Sequence, residues 1–218
     1  MLKQYGDISH ISINASHPEK WDFEGADYAR VELPANSDFA IQMQQQGFYW
    51  TDRTIKVSIS LSKLSENLEK YLRLPIEETA DYKPDILRIA VNSFTYDRRF
   101  HLLPQCNKEI SAAVLQKWVN DLDKVLVCLH KEQPIGFLAL KETATDTLFI
   151  HLAAVDEKYR LMGAAMALYA KACLLAKERG YKKLEGRISS QNMAVMNIYA
   201  TLGAMFSEPL DVYVKEVK

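Results

Sequence analysis

The segment from Phe149 to Gly203 constrains this chain more tightly than any other. It reads as a strand, the hexamer Arg160-Leu161-Met162-Gly163-Ala164-Ala165, and an amphipathic helix closed by Gly180. A second strand follows, then Asn192 and a short helix that carries Tyr199 and closes at Leu202-Gly203-Ala204. An arginine and two small residues therefore coincide where a strand gives way to a helix. The first N–H groups of a helix have no intrahelical partner and sit at the positive end of its dipole, so they bind anions. Gly163 has no Cβ to block a close approach, and Ala165 is small for the same purpose. Arg160 can add charge-assisted bonds to phosphate oxygens. The expected chemistry at this loop is diphosphate binding.

The helix behind the loop has the 3.6-residue period, with Ala165, Leu168, Ala172, Leu175 and Ala176 as its apolar stripe. Lys182 to Ile188 alternates as a strand, with Leu184, Gly186 and Ile188 opposed to Lys183, Glu185 and Arg187. Upstream, two strands (Val125 to His130 and Ile135 to Lys141) flank a turn at Lys131-Glu132-Gln133-Pro134, and a third runs from Leu148 to Val155. Helices are expected at Asp85 to Phe94 and about Asn107 to Leu122. The order predicts a mixed sheet with helices on both sides.

The first 65 residues predict a smaller α/β unit. Its strands are Ile8 to Ile13, Ala26 to Leu33 and Thr54 to Leu61, and its helix is capped by Asn36 or Ser37 and ended by Gly47. Residues 66–83, with Pro75 and a short helix at Leu64 to Leu72, read as a linker, and 84–218 as the main domain. Asn36 to Gly47 followed by a strand echoes Asn192 to Gly203 followed by a strand. The echo is either a degenerate half-repeat or a coincidence of two ordinary units.

Composition excludes more than it identifies. A net charge of −1, from 27 Lys+Arg and 28 Asp+Glu, gives no electrostatic reason to expect nucleic acid or an anionic membrane as partner. Cys106, Cys128 and Cys173 are scattered and odd in number, which suits buried thiols in a reducing compartment. No apolar run reaches the ~18–20 residues of a membrane span, and the N-terminus lacks a signal-like core, so the expected location is cytoplasmic. The five histidines have no zinc-ligand spacing, and no metal is expected. Exposed edge strands could pair two copies into a homodimer.

The combination Val155-x-x-x-x-Arg160-x-x-Gly163-x-Ala165, helix, strand, Asn192, helix, Tyr199-x-x-x-Gly203 resembles the GNAT superfamily of acetyl-CoA-dependent N-acetyltransferases. The resemblance spans roughly Asp85 to Lys218. It implies an α/β (α+β) fold with a mixed, mostly antiparallel central sheet flanked by helices. It implies that Arg160, Leu161, Met162, Gly163, Ala164 and Ala165 bind the coenzyme A pyrophosphate. Ala153, Ala154 and Val155 would pair with the pantetheine arm, and Asn192 would contact it. Leu161 stands where the family often has glycine, and Ala204 where it usually has phenylalanine. Short words elsewhere, Trp21-Asp22-Phe23, Gln46-Gly47-Phe48 and Phe94 to Phe100, are similar to acetyltransferases of nucleotide-linked amino sugars, the TDP-fucosamine type.

Acetyl transfer to an amine needs a free amine, a polarised thioester carbonyl and a proton for the departing sulfur. Backbone N–H groups near Ala154 and Val155 could polarise the carbonyl. The resemblance makes Tyr199 the general acid, with Tyr213 the alternative. His151 titrates in the range of a general base; Glu142 and a water-mediated route are its rivals. The loop with Tyr96, Arg98, Arg99, Phe100 and His101 would hold the acceptor. The expected reaction is direct transfer from acetyl-CoA to a primary amine of a small molecule. Alternatives are peptide or polyamine acceptors, or a non-catalytic acetyl-CoA sensor.

Overall fold

The computed structural model describes residues 2–5, 8–14, 26–64, 67–94, 108–122 and 125–217, with backbone alone for 2–14, 108–111 and 114. Among these residues ten strands form one sheet. They are β1 (Leu2–Tyr5), β2 (Ile8–Asn14), β3 (Tyr28–Pro34), β4 (Tyr49–Ser60), β5 (Ile76–Thr79), β6 (Val125–His130), β7 (Gln133–Ala144), β8 (Thr147–Val155), β9 (Lys183–Ser189) and β10 (Met205–Glu216). The helices are α1 (Phe39–Gln45), α2 (Lys83–Ser93), α3 (Lys108–Asn120), α4 (Ala164–Glu178) and α5 (Met193–Thr201). The strand order is β1-β2-β3-β10-β4-β9-β8-β7-β6-β5. Only β2–β3 and β8–β9 pair in parallel; all other neighbours are antiparallel. The expected mixed, mostly antiparallel sheet is present.

Both faces of the β6–β8 region are covered, which is why β6 reads as a continuous apolar run rather than an alternating one. Leu126 and Cys128 pack with α4 residues Leu168, Tyr169 and Ala172 on one face. Val125, Val127 and Leu129 pack with Ile86 and Ile89 of α2 and Leu115 and Val119 of α3 on the other. The β6–β7 turn is tighter than the sequence suggests: Lys131 and Glu132 alone make it, both left-handed, at φ 49° and 64°. That is the two-residue geometry whose twist matches the flanking strands.

About the β10–β4 pair the pairing pattern of the inner strands is mirrored. Each side runs outward through one strand paired antiparallel to its neighbour and then a parallel pair, β3–β2 on one side and β9–β8 on the other. Adding 156 to the residue number carries Asn36 to Asn192, Gly47 to Gly203, and β4 onto β10 end for end. The units β3-α1-β4 and β9-α5-β10 each leave a gap between their two strands, and each fills the other's gap. The echo in the sequence is therefore a structural correspondence, and the sheet crosses the expected boundary at residue 65. Residues 66–83 also differ from a linker. They hold a short 3-10 turn at Glu69–Tyr71 in place of the expected helix, and β5, which pairs with β6. Leu68 is buried, and Tyr71 and Leu72 pack against the main core, which ties the segment down. At α1 the cap position falls on Asp38, without a side-chain cap bond, while Ser37 Oγ accepts from Phe39 N–H at 3.3 Å.

No helix among the described residues is long and apolar enough to cross a membrane.

Candidate active site

The site begins where β8 and β9 part. They pair in parallel from Thr147–Lys183 to Ile150–Gly186 and no further. Beyond that point β8 continues to Val155 on its β7 side, and β9 continues to Ser189 on its β4 side. A bulge at the fork accounts for the divergence. Ala139 faces Leu152 and Leu140 faces Ile150, so His151 is an extra residue in β8. Bulges bend the strand that carries them. This one also resets the alternation: Leu148 and Ile150 join the α4-side core, Leu152 joins the opposite one, and Ala153 and Val155 return to the α4 side. Ala153, Ala154 and Val155 thus line the diverging edge that β9 leaves free.

Tyr199 closes the apex of the fork. It projects from α5, is fully buried, and brings its hydroxyl over Gly186, the last β9 residue paired to β8. A Cβ built on Gly186 would lie 2.5 Å from Tyr199 Oη, so only glycine leaves room for the phenol. Its ring meets that of Tyr169 on α4 edge-on, with centroids 5.1 Å apart. Burial pushes both phenols well above their ordinary range, and the neighbouring Tyr169 raises Tyr199 further. Cys173, one turn further along α4, is pushed up to about 12 by burial.

The loop expected to bind phosphate stands at the open end of β8. Asp156 caps a 3-10 turn, Glu157–Met162, by accepting from Lys158 N–H at 3.1 Å, and Arg88 holds the same carboxylate at 2.8 Å. Burial opposes the charge on Asp156, but these bonds outweigh it and hold the carboxyl below its usual value. Gly163 then adopts φ 79° and serves as the N-cap of α4. That left-handed conformation costs an L-residue about 1–2 kcal/mol, and the space its Cβ would enter is open to beyond 4 Å. The helix ladder starts with Ala167 N–H donating to Gly163 O at 3.0 Å, so the N–H groups before it are free of that ladder. Arg160 is exposed and makes no ion pair among the described residues. Leu161 is fully exposed, Met162 partly so, Ala165 half-buried, and Ala164 buried against the core.

The remaining expected residues divide. Asn192 follows the end of β9, its N–H donating to Ser189 O at 3.1 Å, and its Oδ1 caps α5 by accepting from Val195 N–H at 3.2 Å. His151 is exposed at the bulge itself. Glu142 accepts a short hydrogen bond from Tyr181 and faces Leu148, at the closed end of β8, which takes it away from the fork. Tyr213 is buried with Val31, Leu33 and Met43 beneath α1, with β4 and β9 standing between its strand and β8. It is not brought together with Tyr199. Tyr96, Arg99 and Phe100, with Arg98 and His101, lie outside the described residues.

Two features escaped the sequence reading. One is the Tyr169–Tyr199 contact, which no local pattern marks. The other is a polar floor beside the fork: Glu185, next to Gly186, accepts from Ser58 Oγ at 3.2 Å and faces Lys56 Nζ at 3.4 Å. Lys56 also reaches Glu208 at 3.3 Å, and Arg187 donates to Glu208 O at 3.0 Å. The glycine at 186 was the available signal, since an isolated glycine in a strand often marks a close approach.

Comparison with known proteins places this geometry. The model of the Acetyltransferase (GNAT) family matches residues 85–204. A functionally unknown conserved protein from Staphylococcus epidermidis superposes with a TM-score of 0.64 at 14% identity, over 88% of this chain and 73% of that one. A GCN5-related N-acetyltransferase from Sphaerobacter thermophilus gives 0.58 at 17% identity, over 88% of this chain and 60% of that one. A GCN5-related glucosamine N-acetyltransferase region of a fungal multi-domain beta-N-acetylglucosaminidase gives 0.66 at 11% identity, over 98% of this chain but 30% of that one. No curated protein sequence matches significantly.

Proposed function

Because this chain belongs to the GNAT family of acetyl-CoA-dependent N-acetyltransferases, we propose that it transfers acetyl directly to the primary amine of a nucleotide-linked amino sugar, with Tyr199 as general acid. The observation that carries the reading is the fork at Ile150–Gly186 with the Tyr199 hydroxyl at its apex.

The residues present fit acetyl-CoA. The free N–H groups at the start of α4, the open space at Gly163 and the exposed Arg160, which has no ion pair among the described residues, suit a diphosphate. The edge of β8 from Ala153 to Val155 offers backbone groups to an extended amide-bearing arm. When bound, acetyl-CoA supplies the activated thioester carbonyl. Backbone N–H groups near Ala154 and Val155 hold that carbonyl oxygen. Tyr199 holds a proton at Oη for the sulfur. His151, exposed at the bulge, is the proposed base that takes a proton from the amine. The fold brings Tyr199 to the fork and leaves Tyr213 under α1, which favours Tyr199 as the acid.

Support for the acceptor comes from the polar floor and from a likeness. Glu185 and Glu208 suit an ammonium group, and Lys56 and Arg187 suit phosphate oxygens. One of the similar folds is a glucosamine N-acetyltransferase region. The sequence resemblance alone proposes Tyr96, Arg99 and Phe100 as acceptor-binding residues, and β3-α1-β4 is the proposed degenerate counterpart of β9-α5-β10.

Release of free thiol from acetyl-CoA, followed across nucleotide amino sugars, free amino sugars, polyamines and peptides, tests the acceptor. Turnover of peptides or polyamines alone would overturn the amino-sugar reading. Thermal stabilisation by acetyl-CoA is expected, and its absence at millimolar ligand would remove the donor. Tyr199→Phe is expected to bind acetyl-CoA normally and to lose about 10²-fold in kcat.

A further inference from the structure

Tyr199 cannot act alone. A general acid must carry negative charge on its oxygen once its proton has left, and Tyr199 is fully buried. Burial raises its affinity for the proton well above that of an ordinary phenol. An acid of that kind is too weak for a thiolate unless some group stabilises the phenolate. The elements packed around it offer few candidates. From β4 comes Val57, from β9 Gly186 and from β8 Ile150, none of them polar. Glu185 and Arg187 alternate to the other face of β9. From α4 come Tyr169 and Cys173, and Cys173 stays a thiol. Tyr169 remains: its ring meets Tyr199 edge-on at 5.1 Å, and it is itself buried.

We propose that Tyr169 is the positioning residue of the general acid. It holds the Tyr199 hydroxyl over Gly186 while the acid is protonated, then turns its own O–H to donate to Tyr199 Oη as the proton leaves. In the structure the two buried rings meet edge-on with centroids 5.1 Å apart, so both phenols sit on the α4 side of the sheet. The change of role needs no new group, because a phenol both donates and accepts. The proton count closes: the attacking nitrogen loses one proton, the sulfur gains the one held at Tyr199 Oη, and Tyr199 recovers one from solvent. Tyr169 gains and loses none. This inference rests on the reading of Tyr199 as the acid.

The experiment compares Tyr169→Phe, Tyr199→Phe and the double variant, each followed by kcat, KM and acetyl-CoA affinity. Tyr169→Phe is expected to lower kcat about 10- to 100-fold with affinity for acetyl-CoA unchanged. The double variant is expected to be no slower than Tyr199→Phe alone, because Tyr169 acts only through Tyr199. Multiplying losses in the double variant would overturn the inference, as would an unchanged kcat in Tyr169→Phe beside an impaired Tyr199→Phe. A fully active Tyr199→Phe would instead remove the acid reading on which it rests.

A second readout needs no turnover. With Cζ-labelled tyrosine, the Tyr199 resonance of the ligand-free protein is expected to shift when Tyr169 becomes phenylalanine, and an unmoved resonance refutes the contact. Should Tyr169→Phe fail to fold, a ring-fluorinated tyrosine at the same position keeps ring and hydroxyl while making the latter a better donor. The kcat–pH profile of that protein is expected to shift on its basic limb, and an unshifted profile counts against the proposal.

Discussion

Gly186→Ala adds one methyl group at the apex of the fork, and its consequences follow from three distances. The new Cβ would lie 2.5 Å from Tyr199 Oη, 3.4 Å from Val57 Cγ2 and 3.5 Å from Tyr199 Cζ. The last two are ordinary or nearly ordinary contacts; the first is not. The hydroxyl is the end of a rigid, fully buried ring braced by Tyr169, so it cannot swing aside as a lysine tip would. Overpacking of this kind costs about 1–3 kcal/mol. Replacing glycine with alanine where the backbone allows it gains about 0.4–1 kcal/mol through the unfolded chain, so the balance stays destabilising over most of the range. At about 2–4 °C per kcal/mol for a chain of this size, Tm falls by up to roughly 10 °C. The phenol must move about 1 Å to regain normal contact, and a displacement of about that size at a catalytic group can cost about 10²-fold in rate. Thermal melts and kcat are measured for Gly186→Ala, Tyr199→Phe and the pair. Removing the hydroxyl relieves the clash, so the pair is expected to be more stable than Gly186→Ala alone. A variant as stable and as active as the parent would refute the placement of Tyr199, and additive destabilisation in the pair would refute the contact.

Three further outcomes are expected. Arg160→Ala leaves the melt of the free protein unchanged, because Arg160 forms no ion pair among the described residues, yet weakens acetyl-CoA binding about 10- to 100-fold by calorimetry. Arg88→Met removes a stabilising partner of Asp156. A carboxyl depressed in the folded state adds stability that is complete above its unfolded value of about 3.9 and is lost as pH falls through the folded value. Urea melts should therefore show the variant clearly weaker than the parent near pH 6, with the gap closing below about pH 4; a constant gap would contradict the assignment. Cys128 and Cys173 are fully buried, and burial pushes their thiols up to about 11 and about 12. Neither should react with a thiol reagent at pH 8 until the protein unfolds, and fast reaction of either in the native state would refute its burial.

Much of this site was legible because its parts lie close together in the chain. A helix start, the arginine and small residues before it, and the glycines that end its helices are local signals, and the structure gives Gly163 and Gly180 φ values of 79° and 81°. The Asn192 reading was less complete. Its side chain has a purely local use as the α5 cap, which the strand–helix pattern alone could not separate from a contact with the coenzyme. Residues 66–83 are less legible for the opposite reason. Pro75 and the acidic pair look like a linker from composition, but β5 exists because β6 offers it an edge to pair with.

By itself the sequence determined the turn at Arg160–Ala165, the helix behind it and the alternation of the strands around it, since all of these arise from periodicity and backbone preference within a few residues. It also held the echo between Asn36–Gly47 and Asn192–Gly203, without saying what the echo meant. Tertiary structure alone decided that β4 and β10 each fill the gap in the other's unit, that a bulge at His151 opens the fork, and that Tyr169 and Gly186 enclose Tyr199. Each of these depends on register between strands or on packing between helices far apart in sequence. Such pairings are chosen by the whole core at once, and no window along the chain contains them.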